Sequence, residues 1–297
     1  MRGALRHVLR RPPRALAALL AGALAGAALL TGPAASADVG TIAHDTLRTG
    51  WDSDESALSP AGVASPNFGK LFSAAVDGQV YAQPLVVGQT VVAATENNAV
   101  YGLDAATGAV KWTRSVGPAW PAAAIGCGDL VPNIGITSTP VYDAATSSVF
   151  LTAKTNDAGN AQLPHWYMHS IDVTTGAERA GFPVMIDGAP TNDPTRPFNA
   201  FTAMQRPGLL LMGGVVYAGF ASHCDHSPFV GYVVGVSTAG KQTTMWATET
   251  RISNAEGGIW QSGGGLVSDG PGRILFSTGN GIAPQKSPGT SPPSTLA

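Results

Sequence analysis

The sequence predicts an all-β fold: a β-propeller of four-stranded antiparallel blades forming an incomplete ring. Two observations carry that reading. An apolar strand–turn–strand opening begins at Pro84, Pro140, Pro207 and Gly264, spaced 56, 67 and 57 residues apart. An Asp-x-x-Thr-Gly hairpin follows at Asp104 to Gly108 and recurs at Asp172 to Gly176, with a looser copy ending in Gly240. A recurring unit of four short strands at this spacing is a blade signature. A β-sandwich also has short strands, but no hairpin that repeats.

Each element follows from its residues. Residues 1–37 read as an export signal: Arg2, Arg6, Arg10, Arg11 and Arg14 precede an apolar run from Ala15 to Leu30, and Ala35-Ser36-Ala37 offers a small-residue cleavage site before Asp38. The run is short for a membrane span, which leaves a retained anchor as the lesser reading. Residues 38–66 form a lead-in, 67–283 the blades, with a partial blade around Phe68 to Val80, and 284–297 a Pro/Ser-rich loop or truncated end. In the hairpins, Asp104 and Asp172 can bond the amides of their own turns, while Gly108 and Gly176 supply the positive φ a tight turn needs.

Charge narrows the partners. Residues 1–37 hold five of the 17 basic residues and none of the 19 acids, so the remainder carries a net charge of −7. No basic patch survives signal removal, which speaks against nucleic acid and anionic membrane. Low charge with abundant Gly and Pro describes a turn-rich secreted β-protein. Its expected partners are extracellular carbohydrate or protein. Cys127 and Cys224 are disulfide candidates in an exported chain, and closing so long a loop is worth about 4–5 kcal/mol on the chain-entropy model. Spacing alone leaves their pairing open.

The stretch Val100-Tyr-Gly-Leu-Asp-Ala-Ala-Thr-Gly-Ala-Val-Lys-Trp112 resembles the repeat signature of the pyrroloquinoline-quinone (PQQ) repeat family of quinoprotein β-propellers. The resemblance runs from about residue 70 to about 283. It implies fold strongly and function weakly, since such blades serve both redox enzymes and scaffolds. Catalytic members hold PQQ between a vicinal disulfide and a tryptophan, beside a calcium ion, and a catalytic aspartate takes the substrate proton. Cys127-Gly-Asp-Leu-Val is similar to the disulfide segment, but Gly128 stands where the second cysteine belongs. Gly257-Gly-Ile-Trp260 and Thr278-Gly-Asn-Gly281 match more closely, so the resemblance makes Trp260 the stacking tryptophan and Asn280 a calcium ligand. An indole face suits a planar quinone, and an amide oxygen suits Ca²⁺. The ordinary alternatives are core packing for Trp260 and a turn pair for Asn280. The catalytic aspartate would fall beyond Ala297, and Glu96 is the available guess for the glutamate ligand.

Other constellations are weaker. His223-Cys-Asp-His226 concentrates metal-capable groups, yet four chain neighbours rarely converge on one ion. His165 and His169 share a face if their stretch is a strand, where packing outranks a zinc pair. Trp51, Trp120 and Trp166 read as loop aromatics, rings that an exposed propeller face would offer to sugars. No nucleophile elbow, phosphate loop or His-Glu-x-x-His occurs. The expectation is a secreted, non-catalytic or degenerate scaffold or binding module. The alternative is part of an exported PQQ- and calcium-dependent dehydrogenase of alcohols or sugars. No catalytic residue and no firm cofactor is assigned, PQQ and Ca²⁺ being those the resemblance implies.

Overall fold

A computed structural model describes residues 38–55, 58–250, 256–281 and 295–296. The expected signal and most of the Pro/Ser-rich end lie outside the described residues. Blade 1 comprises β1 (Leu85–Val87), β2 (Thr90–Ala94), β3 (Ala99–Asp104) and β4 (Val110–Ser115), antiparallel in that order. A connecting loop carries the short pair β5 (Trp120–Pro121) and β6 (Asn133–Ile134). Blade 2 follows with β7 (Val141–Asp143), β8 (Ser148–Thr155), β9 (His165–Asp172) and β10 (Val184–Met185). Blade 3 has β12 (Leu210–Met212), β13 (Val215–Ser222), β14 (Tyr232–Ser237) and β15 (Lys241–Ala247), and β11 (Ala203–Met204) pairs with the far end of β13. A fourth unit opens with Gly265 to Leu275, containing β16 (Ile274–Leu275), which pairs with β17 (Thr295–Leu296). The described residues thus form a run of propeller blades that does not close a ring.

The two-residue period of a strand assigns its faces, and here each face meets a neighbouring blade. In β8, Val149, Leu151 and Ala153 join the core shared with blade 1, whereas Phe150 joins the core shared with blade 3. In β14, Val234 and Val236 face blade 2 while Val233 packs with Ile259 and Leu266 of the fourth unit. Trp112 seals the first seam. Its indole lies over Gly102, donates from Nε1 to Val173 O (3.0 Å), and covers Gly176 so closely that a Cβ there would sit 2.6 Å from the ring.

The hairpins share one geometry. Asp104 Oδ1 accepts from Ala106 N, Thr107 N and Thr107 Oγ1 at 2.8–3.1 Å; Asp172 Oδ1 accepts from Thr174 N, Thr175 N and Thr175 Oγ1 at 2.8–3.0 Å. These bonds hold both carboxyls below the ordinary aspartate range: the Thr107 hydroxyl leads at Asp104, and the Thr175 amide at Asp172. Gly108 and Gly176 take φ of 72° and 71°.

Two expectations need correction. Residues 68 to 80 form no strand and therefore no partial blade; Phe72 instead packs over Gly108. Trp120 and Trp166 are fully buried, because Gly- and Pro-rich flanks do not determine what a ring meets in three dimensions; Trp51 alone of the three is exposed, at 71%. The lead-in is also part of the fold. Val39 pairs with Val86 of blade 1, Gly40 O accepts from Tyr142 N of blade 2, and Arg48 donates to Leu209 O and Leu266 O. One short segment thereby bonds to the opening strand regions of all four units.

Candidate functional site

A cleft of about 490 Å³ opens among the loops that join the blades. Its first wall is the disulfide between Cys127 and Cys224, together with Gly128. The sequence folds that way because each cysteine sits in a tight, irregular loop. Gly126 and Gly128 take φ of 73° and 75°, and on the other side Cys224 and Asp225 take 46° and 53°. Behind the wall, Trp120 is packed edge-on against Phe201, and its Nε1 donates to Ala161 O (2.7 Å).

Trp260 and Asn280 line the same cleft. Gly258 and Gly279 form an antiparallel bridge that makes a shelf for the indole: a Cβ on either would lie 2.8–2.9 Å from the ring. Asn280 has φ of 60°, left-handed backbone that asparagine tolerates. Met204 adds an apolar contact, and Asp129 and Asp225 bring two carboxylates.

The charges near the cleft are set by burial and by one another. His223, buried beside Asp129 (3.8 Å), is pushed down to about 4 by loss of water, so its imidazole is neutral at physiological pH. The adjacent His223 in turn holds the Asp129 carboxyl below its ordinary value. Lys154 is fully buried behind this region. Its Nζ donates to Phe201 O (2.8 Å) and Ala203 O (3.2 Å) and lies 3.8 Å from the centroid of the Trp120 ring, and burial pulls it well below the usual lysine range.

The structure therefore brings Cys127, Cys224, Trp260 and Asn280 to one place. It leaves others apart. Glu96 does not line the cleft; it is buried nearby, with its carboxyl raised by desolvation. His165 bonds Asp157 (2.7 Å) and His169 bonds Glu178 (3.1 Å), each within blade 2. Asp104 and Asp172 sit at hairpins and take no part in the cleft. Among the described residues no group of three or more His, Cys, Asp and Glu side chains is placed to hold a metal. Sequence reasoning missed Lys154, Asp129 and Met204. A lysine as the one charge in the strand Val149 to Thr155 was the signal available for the first. A larger cavity, about 710 Å³, is walled by Phe198, Phe201, Phe229 and Tyr232, and none of the sequence candidates lines it.

Residues 68–180 match the family model described as outer membrane protein assembly factor BamB. No curated protein matches the chain. Among solved structures, BamB from Moraxella catarrhalis is 17% identical, with 67% of this chain and 42% of that one covered and a TM-score of 0.37. The quinohemoprotein alcohol dehydrogenase ADHIIG from Pseudomonas putida HK5 is 18% identical over 70% of this chain and 29% of its own, with a TM-score of 0.47. The quinohemoprotein alcohol dehydrogenase from Comamonas testosteroni is 16% identical over 83% and 47%, with a TM-score of 0.42. The chain spans less than half the length of each.

Proposed function

Given that this chain is built from the blades of the PQQ-repeat β-propeller family, we propose that it is an exported, non-catalytic binding module whose ligand, an extracellular glycan, lies in the cleft between the disulfide and Trp260. The observation that carries this reading is the composition of the cleft. An indole offers its face to the C–H surface of a sugar, while an amide and two carboxylates can take hydroxyl hydrogen bonds. Asp129 is set to accept hydrogen bonds as an anion, and His223 is neutral and enclosed; neither is tuned near pH 7 as a proton-transfer group is. No described helix is long and apolar enough to cross a membrane. Export predicts a mature N-terminus at Asp38, readable by mass spectrometry of the secreted protein.

A second reading is favoured by one observation: Cys127, Trp260 and Asn280, which the family resemblance singles out, surround this same cleft. The indole and the disulfide fit a flat quinone in kind. Asn280 with Asp129 or Asp225 would hold calcium, although Ca²⁺ takes six to eight oxygens and these side chains supply only part of that set. Bound PQQ would contribute a two-electron acceptor. On this reading the chain is part of a dehydrogenase of alcohols or sugars.

Titration of the mature, disulfide-intact protein separates the two. The binding-module reading predicts that a glycan quenches or shifts tryptophan fluorescence, that Trp260→Ala abolishes the change, and that PQQ with Ca²⁺ gives no dye reduction with alcohols or aldoses. Dye reduction dependent on PQQ and Ca²⁺ would replace it with the second reading.

A further inference from the structure

The larger cavity, about 710 Å³, is separated from the cleft by a thin partition. Ala203 lines the cavity where Met204 lines the cleft, and Phe229 of the cavity meets Trp260 of the cleft edge-on, 6.4 Å between centroids. Protein interiors hold few voids larger than a water molecule, and this volume falls in the range of small-molecule sites. The fold holds the walls in place. Phe198, Phe229 and Tyr232 are buried, and Phe198 packs edge-on against Phe220 (5.1 Å) and Tyr232 (5.5 Å). The Tyr232 hydroxyl donates to Arg196 O (3.3 Å) and Pro197 O (3.2 Å), which ties that loop to β14. Behind Phe201 and Ala203, Lys154 Nζ donates to both carbonyls, and Trp166 Nε1 donates to Ala203 O (3.2 Å). A fully buried ammonium is costly to keep, and these bonds of Lys154 fasten the cavity wall.

The lining selects a ligand by charge and polarity. Among the described residues that line the cavity, Arg196 is the one ionic side chain, and Asp193 neutralises it at 3.1 Å. An ionic ligand would therefore be desolvated without a free counter-charge to meet it. Polar groups are few. Asn199, whose Oδ1 accepts from Phe201 N (3.0 Å), keeps an amide N–H edge, and Thr202 and Gln162 add a hydroxyl and a second amide. A sugar brings more hydroxyls than these can bond, and each one left unpaired weakens binding. Buried rings, in contrast, offer edge-on and offset-stacked contacts to another ring.

We propose that this cavity is a second binding site, for an uncharged aromatic compound bearing a hydroxyl group. The ring of that compound lies among Phe198, Phe201, Phe229 and Tyr232, and its hydroxyl is directed to Asn199 and Thr202. The site stands apart from the cleft and does not depend on the ligand assigned there.

The test titrates the mature, disulfide-intact protein with naphthol and with its anionic counterpart naphthoate at neutral pH, by calorimetry, and maps the naphthol complex by hydrogen–deuterium exchange. Naphthol should bind at least ten-fold tighter than naphthoate, and excess galactotriose should leave its affinity unchanged. Exchange should slow in the loop from Thr195 to Ala203 and in the stretch from Pro228 to Tyr232. Ala200→Trp, which places an indole in the cavity, should abolish naphthol binding. Thr202→Val keeps the shape and removes the hydroxyl, and should weaken binding about three- to ten-fold, the worth of one neutral hydrogen bond. If Ala200→Trp does not fold, Thr202→Val and the exchange map decide. Naphthoate binding as tightly as naphthol, displacement of naphthol by galactotriose, or unchanged affinity in Thr202→Val overturns the proposal. Protection confined to the loops around Cys127 and Trp260, or no binding of naphthol at all, overturns it equally.

Discussion

His223 shows how one buried side chain can link stability to pH. Its imidazole is enclosed against the Trp120 ring, 5.9 Å between centroids, and its folded pKa is about 4, against about 6.5 for the exposed group. Above pH 6.5 the ring is neutral in both the folded and unfolded chain and contributes no pH dependence. Between pH 6.5 and 4 the unfolded chain binds the proton and the folded one does not, so stability falls as the solution is acidified. Below about 4 the loss is complete. The shift corresponds to about 3 kcal/mol. Chemical denaturation of the wild type against His223→Gln across that window should show this loss in the wild type only. A parallel pair of curves would remove the imidazole from the account. At this scale the sequence says least. The buried state of His223 and of Lys154 depends on Trp120 and Phe201, partners 34 to 103 residues distant in the chain, so local pattern gave no sign of the enclosed histidine and only the lone charge in β8 pointed to the lysine. Trp120 and Trp166 read as loop rings for the same reason.

At the scale of the element, the hairpins and strand faces are legible because they depend on neighbours in sequence. Asp, Thr and Gly at fixed offsets make the Asp104 and Asp172 turns, and alternation along β8 and β14 sorts side chains between two seams. What joins one element to the next is carried by single large residues. Trp112 fills the space above Gly102 and Gly176. Trp112→Ala should therefore cost about 3–5 kcal/mol, the usual price of deleting a large packed aromatic. Gly176→Ala should also destabilise, because its φ of 71° disfavours a side chain and the new methyl would meet the indole. Thermal or urea unfolding measures both. A loss below about 1 kcal/mol for Trp112→Ala would mean that the seam is held elsewhere. The disulfide acts on a longer range. It closes a loop of 97 residues, and reduction or Cys127→Ser with Cys224→Ser should lower stability by up to about 4–5 kcal/mol.

For the molecule as a whole, the blades share an unexpected fastener. The segment from Asp38 to Gly50 meets all four units, and Arg48 is its centre: Nη1 donates to Thr41 Oγ1 (2.7 Å), Ile42 O and Asp45 O, Nη2 to Leu209 O, and Nε to Leu266 O. Burial lowers its pKa to about 10, which leaves it charged at neutral pH. Arg48→Met leaves those acceptors unpaired and should cost at least about 3 kcal/mol, since hydrogen bonds to a charged group are worth about 1.5–3 each. Unfolding of this variant with no loss of stability would show that the blades hold without the fastener. Blade order follows from the repeat, but this crossing does not. Nothing in Val39-Gly-Thr-Ile-Ala-His-Asp distinguishes a lead-in from a segment that pairs with four units. The candidate site is legible in part. The residues that the family resemblance marks, Cys127, Trp260 and Asn280, do meet, while the walls supplied by Met204 and Asp225 emerge only when the blade 3 loops fold over.

The central claim is that ligand enters between the disulfide and Trp260. Hydrogen–deuterium exchange of the mature protein, with and without the tightest-binding glycan of a panel, tests it most directly. The account predicts slowed exchange confined to the loops around Cys127 to Asp129, Met204 to Arg206, Cys224 to Asp225 and Gly258 to Asn280. Protection centred instead on Phe198, Phe201 and Phe229, around the larger cavity, would contradict it.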